Sequence, residues 1–157
     1  MKQILLSIAV LCVGLCLAQR TEDEVKSIPG QKFDTLSSKW YSGHIPVTKY
    51  KHLHYLLVES LSKPETDPII IVCNGGPGGA SLGMNFFAMG PYVSDGTSNL
   101  FPFSEYTWAK NASLLFVDNP AGVGFSYAER IFDSVNNDHS FRRDILTFVK
   151  QFYSYWP

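Results

Sequence analysis

The residues best suited to chemistry cluster in the middle of the chain. Asn74-Gly75-Gly76-Pro77-Gly78-Gly79 directly follows the apolar run Ile69-Ile70-Ile71-Val72-Cys73. Glycines at a strand end let backbone N–H groups converge on a concavity that attracts negative charge. Three chemistries use such a loop. A phosphate loop requires Gly-Lys followed by Ser or Thr, and no lysine is near. A dinucleotide fingerprint requires G-x-G-x-x-G, and Ser81 stands where the last glycine should be. An oxyanion hole requires only one or two backbone donors just after a strand, as in the HGGG turn of lipases, and this reading fits best.

Two serines imitate a nucleophile. Gly79-Ala80-Ser81-Leu82-Gly83 matches G-x-S-x-G, and Gly124-Phe125-Ser126-Tyr127-Ala128 nearly does. A nucleophile elbow lifts its serine on a tight turn at the strand end itself. Ser81 lies well past Cys73, and Ser126 well past Asp118, so neither is placed to be lifted. His139 is the only histidine after Ser81, and it reads as a solvated residue at a helix start. A small esterase using Ser81, Asp118 and His139 is therefore the weakest reading. His44, His52 and His54 lack a Cys, Asp or Glu cluster at ligand spacing, so no metal site is expected. His52 and His54 share a strand face, where histidines are common. No cofactor is implied.

The elements that position the loop follow from periodicity. Tyr41–Val47 mixes β-formers with turn residues, and Lys51–Glu59 reads as a strand. Ile69–Cys73 and Leu114–Val117 carry no polar side chain, which predicts strands buried on both faces, as in a parallel sheet covered by helices. Phe141, Ile145, Phe148, Val149, Phe152 and Trp156 recur at helical spacing after Asp138. Asp138 or Ser140 is the expected cap, and Pro157 the stop. Buried strands alternating with a helix indicate an α/β sheet. The expectation is four strands with an uncovered central edge, an incomplete fold.

Composition agrees. The 157 residues are 45% hydrophobic, 17% charged and 14% aromatic, which suits one globular domain. A net charge of -1 gives no footprint for nucleic acid or an anionic membrane surface. No internal repeat is found. Met1-Lys2, the uncharged run Ile4–Leu17 and the small residues Cys16 and Ala18 read as a secretory signal peptide over residues 1–18. The run is too short to span a bilayer, which takes about 20 residues. Cys12 and Cys16 would leave with it. Cys73 would remain as the one thiol, read as a small buried hydrophobe. Asn111-Ala112-Ser113 is a possible glycosylation sequon.

Several stretches together resemble the serine carboxypeptidase family: Asn74-Gly75-Gly76-Pro77-Gly78, Ser81-Leu82-Gly83, Phe86-Phe87, Gly90-Pro91 and the whole of Tyr106–Tyr127. Pro29-Gly30-Gln31, Tyr41-Ser42-Gly43 and Glu59-Ser60 match its N-terminal strands. The resemblance implies an α/β-hydrolase fold and a secreted, vacuolar or lysosomal enzyme. Its activity would be to release C-terminal amino acids from peptide or protein substrates through a Ser-Asp-His triad. It further implies that Gly76 N–H forms half of an oxyanion hole. Asn74 and Gly75 would bind the terminal carboxylate, and Asp118–Tyr127 would support the sheet structurally.

The departures matter as much. The family's G-E-S-Y-A-G elbow does not occur in these residues, and the triad Asp and His lie far downstream in family members. Residues 19–157 therefore resemble the N-terminal third of a carboxypeptidase domain, expected to be inactive alone. Val72 stands where the family usually has tryptophan, Gly79 where it has a disulfide cysteine, and Ala88 where it has a glutamate at the carboxylate pocket. An inactive peptide-binding homologue and a carboxypeptidase-like acyltransferase are the alternatives. Neither a membrane anchor nor an oligomeric state is read from the sequence.

Overall fold

The structure, a computed structural model, describes residues 20–31, 35–76, 78–97, 99–102 and 105–156. The leader expected at residues 1–18 lies outside them. The order begins with β1 (Glu24–Val25), β2 (Trp40–Thr48), β3 (Lys51–Val58) and β4 (Ile69–Val72). A short helical turn α1 (Leu82–Met84) runs into a wider turn over Asn85–Met89. Then come β5 (Tyr92–Ser94), β6 (Leu100–Pro102), β7 (Ser113–Val117), β8 (Tyr127–Ala128) and α2 (Asp138–Tyr155).

The main sheet runs β1-β2-β3-β7-β4, with β8 added alongside β3. β2 and β3 form an antiparallel hairpin that pairs Trp40 with Val58 and His44 with His54. Thr48 Oγ1 closes its turn by accepting the N–H groups of Tyr50 and Lys51. β3 then pairs antiparallel with β7, and β7 parallel with β4. β5 and β6 make a separate hairpin.

Period-2 alternation sorts the side chains. Tyr41, Ile45, Leu53, Tyr55, Leu57, Leu115 and Val117 face α2 and meet Phe148, Phe152 and Trp156. Phe148 and Phe152 are fully buried, each stabilising the fold by about 1.5–3 kcal/mol. A buried ion pair, Lys51 Nζ to Asp144 Oδ2 at 2.9 Å, pins β3 to the same helix. On the opposite face Trp40, Leu56, Val58, Leu114 and Phe116 pack under Met89, Tyr92 and Ala109. That face turns polar towards one end, at Ser42, His44, His52 and His54.

Four expectations are corrected. Among the described residues the sheet has six strands, because β1 and β8 are pairs too short to show a periodicity. β7 is buried throughout, but β4 is not: it is only partly covered, and Ile71 is 39% exposed. Among the described residues, β4 has a partner on one edge alone. Cys73, past its end, is exposed rather than buried. The cap of α2 is Asn137, whose side chain accepts Ser140 N–H at 2.9 Å while Ser140 Oγ accepts Asn137 N–H. Ser140, at the third helical position, is the reciprocal partner of a capping box, not the cap.

Candidate functional site

The glycine loop leaves β4 at Cys73 and is closed by Ser81. Asn74 N–H donates to Ser81 Oγ at 2.9 Å, and that hydroxyl donates to Val117 O at 2.6 Å. Inside the loop, Gly79 N–H donates to Gly75 O. The Asn74 side chain folds over its own loop, accepting Gly75 N–H through Oδ1 and donating to Ala80 O through Nδ2. Gly76 sits at φ +132°, a conformation that residues with a Cβ rarely adopt. Gly79 carries no side chain where a Cβ would lie 2.7 Å from both Asn74 Nδ2 and Gly75 O. The departure at Gly79 therefore lets the Asn74 amide lie across the loop. Gly75 and Gly76 are both exposed, and among the described residues Gly76 N–H has no acceptor.

The loop is anchored by one carboxylate. Asp118, at the end of β7, is 1% exposed. Its Oδ1 accepts Ser81 N–H at 2.7 Å and Leu82 N–H at 3.2 Å. Its Oδ2 accepts Phe125 N–H at 3.2 Å and the His54 Nδ1 proton at 3.0 Å. Burial alone would raise its pKa, but the hydrogen bonds from His54, Phe125 and Leu82 outweigh it and hold the carboxyl below its ordinary value. His54 in turn meets Ser42 Oγ through Nε2 at 2.9 Å. Ser126 Oγ accepts His54 N–H at 2.7 Å and donates to Asp118 O, so it bolts β3 to the turn after β7.

Both decoy serines are thus buried and structural. His139 is exposed on the first turn of α2, and no hydrogen bond among the described residues joins it to Ser81 or Asp118. Among the described residues no group of three or more His, Cys, Asp or Glu could hold a metal ion. The Cys73 thiol, though exposed at the surface, is pushed above its ordinary value by the protein mass behind it and then by the Asp118 charge. It is a poorly ionised thiol rather than a reactive one. Asn111 is exposed just after a helical turn over Trp108–Lys110. Ala88 is exposed beside Phe87. Sequence reasoning missed His54: it is buried and hydrogen-bonded at both ring nitrogens, not a surface histidine. The only signal was its shared parity with Ser42 and His44 across the hairpin.

The serine carboxypeptidase family model matches residues 29–157. Serine carboxypeptidase ctsa-4.1 of Caenorhabditis elegans is 36% identical over 155 residues, covering 96% of this chain and 33% of its own length. The lysosomal protective protein of Mus musculus is 32% identical over 158 residues, covering 97% and 33%. Carboxypeptidase Y of Candida albicans is 38% identical over 136 residues, covering 85% and 24%. Among solved structures, KEX1(delta)p, a prohormone-processing carboxypeptidase from Saccharomyces cerevisiae, matches with a TM-score of 0.72 at 22% identity. It covers 90% of this chain and 34% of its own. That likeness concerns the fold, and with the mixed sheet and α2 it bears out an incomplete α/β-hydrolase fold. The chain spans a third or less of the length of these curated relatives. With the family model covering most of its length and relatives 32–38% identical over 85–97% of it, the chain belongs to the serine carboxypeptidase family.

Proposed function

We propose that residues 19–157 are the N-terminal part of an enzyme that releases C-terminal amino acids from peptides or proteins. Their contribution is the glycine loop. Gly76 N–H serves as one oxyanion donor, and Asn74 with Gly75 N–H receives the substrate's terminal carboxylate. One observation carries this. Gly75 and Gly79 use their N–H groups within the loop, while Gly76 N–H, at the mouth of an anchored turn, has no acceptor among the described residues. A fixed, unoccupied donor is what a developing oxyanion requires, because no reorganisation is then needed in the transition state. For the carboxylate role, the Asn74 Oδ1 to Gly75 N–H bond must open, turning the amide donor and the backbone donor towards the anion. The nucleophile, second donor, Asp and His would come from sequence beyond Pro157.

The leader reading belongs with this proposal. Residues 1–18 direct the protein into the secretory pathway, to be secreted or delivered to a vacuole or lysosome, and Asn111, being exposed, is glycosylated there. Among the described residues no helix is long and apolar enough to cross a membrane.

The test uses the complete coding sequence. It should contain G-E-S-x-A-G after Pro157, and its product should release the last residue of a blocked dipeptide. Asn74→Ala should lower kcat/KM for the free acid about 10-fold or more, and leave the amidated dipeptide nearly unaffected. A transcript without the elbow, or an unchanged acid-to-amide preference, overturns the proposal.

A further inference from the structure

The polar end of the sheet face lines up Ser42 and His54 on Asp118 Oδ2, the carboxylate oxygen that does not hold the glycine loop. Ser42 on β2, His54 on β3 and Asp118 after β7 form one hydrogen-bonded line, with Ser42 Oγ to His54 Nε2 at 2.9 Å and His54 Nδ1 to Asp118 Oδ2 at 3.0 Å. A carboxylate accepts and cannot donate, so Nδ1 carries the proton. In the neutral ring that leaves the Nε2 lone pair facing the Ser42 hydroxyl, which then donates to it. This is the order of roles in a serine nucleophile, its base and the group that orients the base.

The line opens to the surface. A cavity of about 410 Å³ is lined by Ser42, Gly43, His44, His54, Phe125 and Tyr127. Phe125 is 63% and Tyr127 45% exposed, forming an accessible aromatic rim. No Asp, Glu, Lys or Arg lines it. His44 is held by Phe125 O through Nε2 at 2.9 Å, so the wall on that side is fixed. A small, uncharged, aryl-bearing electrophile suits these walls.

We propose that Ser42 is a covalently reactive serine, acylated by small uncharged aryl esters with His54 as the base. In the step, the Ser42 hydroxyl proton moves to His54 Nε2 as Oγ bonds the acyl carbon. The bond from that carbon to the aryl oxygen breaks, and the aryloxide leaves, taking the proton from His54 as the phenol. Acyl-Ser42 and a phenol are the products. Among the described residues no oxyanion donor is assigned to this cavity, so reaction is confined to esters with good leaving groups. The proposal is independent of the carboxypeptidase reading, whose nucleophile is not in this chain.

The test is p-nitrophenyl acetate on the full chain, read by intact mass and peptide mapping. One acetyl group is expected on Ser42, absent in Ser42→Ala and in chain unfolded by urea. His54→Gln should slow acetylation about 100-fold or more. Because that variant loses a buried and a half-buried hydrogen bond and could misfold, a second readout needs no change at His54: diisopropyl fluorophosphate should phosphorylate Ser42 and block its acetylation. Acetyl groups on lysines, Ser81 or Ser126 alone, a folded His54→Gln that reacts at the native rate, or no protection by the fluorophosphate overturns the proposal.

Discussion

Replacing Asp118 by Asn isolates the charge on which the site is built while keeping its shape. The carboxylate accepts four N–H groups, two on each oxygen. An Asn side chain keeps one acceptor oxygen. If that oxygen stays with Ser81 and Leu82, both bonds weaken from charge-assisted to neutral, about 1 kcal/mol each. The new NH₂ then faces Phe125 N–H and His54. His54 can switch tautomer and accept, but Phe125 N–H is left without its partner, at about 1–3 kcal/mol. The expected loss is about 3–5 kcal/mol, a large share of the stability of a small domain. Urea unfolding followed by the fluorescence of buried Trp40 and Trp156, at a concentration that keeps the chain monomeric, measures it. The pH dependence gives a second handle. Asp118 has a folded-state pKa below its ordinary value of about 4, so its contribution is present above that value and lost as pH falls through the lower folded value. The two proteins should therefore differ most near neutrality and converge in strong acid. A loss under about 1 kcal/mol, or a gap that persists unchanged in acid, would refute the view that this carboxylate anchors the loop.

Lys51→Met alone should destabilise by about 1.5–3 kcal/mol, because it removes the charged partner of Asp144 Oδ2 and leaves the buried carboxylate with Arg143 on Oδ1 alone, while Lys51→Met with Asp144→Leu should recover most of that in the same unfolding assay. Ile71→Lys, on the unpaired edge of β4, should raise the concentration at which the chain stays monomeric by light scattering; unchanged aggregation would mean that the edge is not the template. Glu59 has its carboxyl pKa raised, first by burial. Its contribution is therefore present below its ordinary value and lost as pH rises through the folded one. Glu59→Gln should accordingly steady the fold at neutral pH relative to the native chain and change little in acid, as read by thermal unfolding at both.

The legible parts of the fold were those whose signal is local. β3, β7 and α2 each carry their signal within the segment itself, as β-forming residues, an apolar run and a helical period. β4 misled because an apolar run reports what a strand can tolerate on its faces, not whether a neighbour covers its edge. Cys73 followed it into error for the same reason. At α2, three residues with capping side chains stand within Asn137–Ser140, and pattern alone does not choose among them; the reciprocal Asn137–Ser140 bonds do. In the site, the glycine loop was legible because its chemistry lies in consecutive residues. Ser42, His54 and Asp118 are separated by long stretches of chain, and they meet only because β3 lies between β2 and β7.

Ser81 and Asp118 show why a motif and a mechanism can part company. The G-x-S-x-G spacing around Ser81 imitates a nucleophile, yet its hydroxyl is committed as donor to Val117 O and acceptor from Asn74 N–H, and it is 1% exposed. A committed hydroxyl of this kind fixes the two ends of the glycine loop to one another and to the end of β7. Gly76 N–H is useful to an oxyanion only if it stays where it points, since a donor that must first be ordered gives back much of what it stabilises. The carboxylate of Asp118 extends that rigidity in two directions. Oδ1 holds the loop through Ser81, and Oδ2 holds the base of the Ser42 line through His54. One buried charge with four donors thus does what several neutral hydrogen bonds would do less firmly, and its burial is tolerable because every lone-pair direction is met.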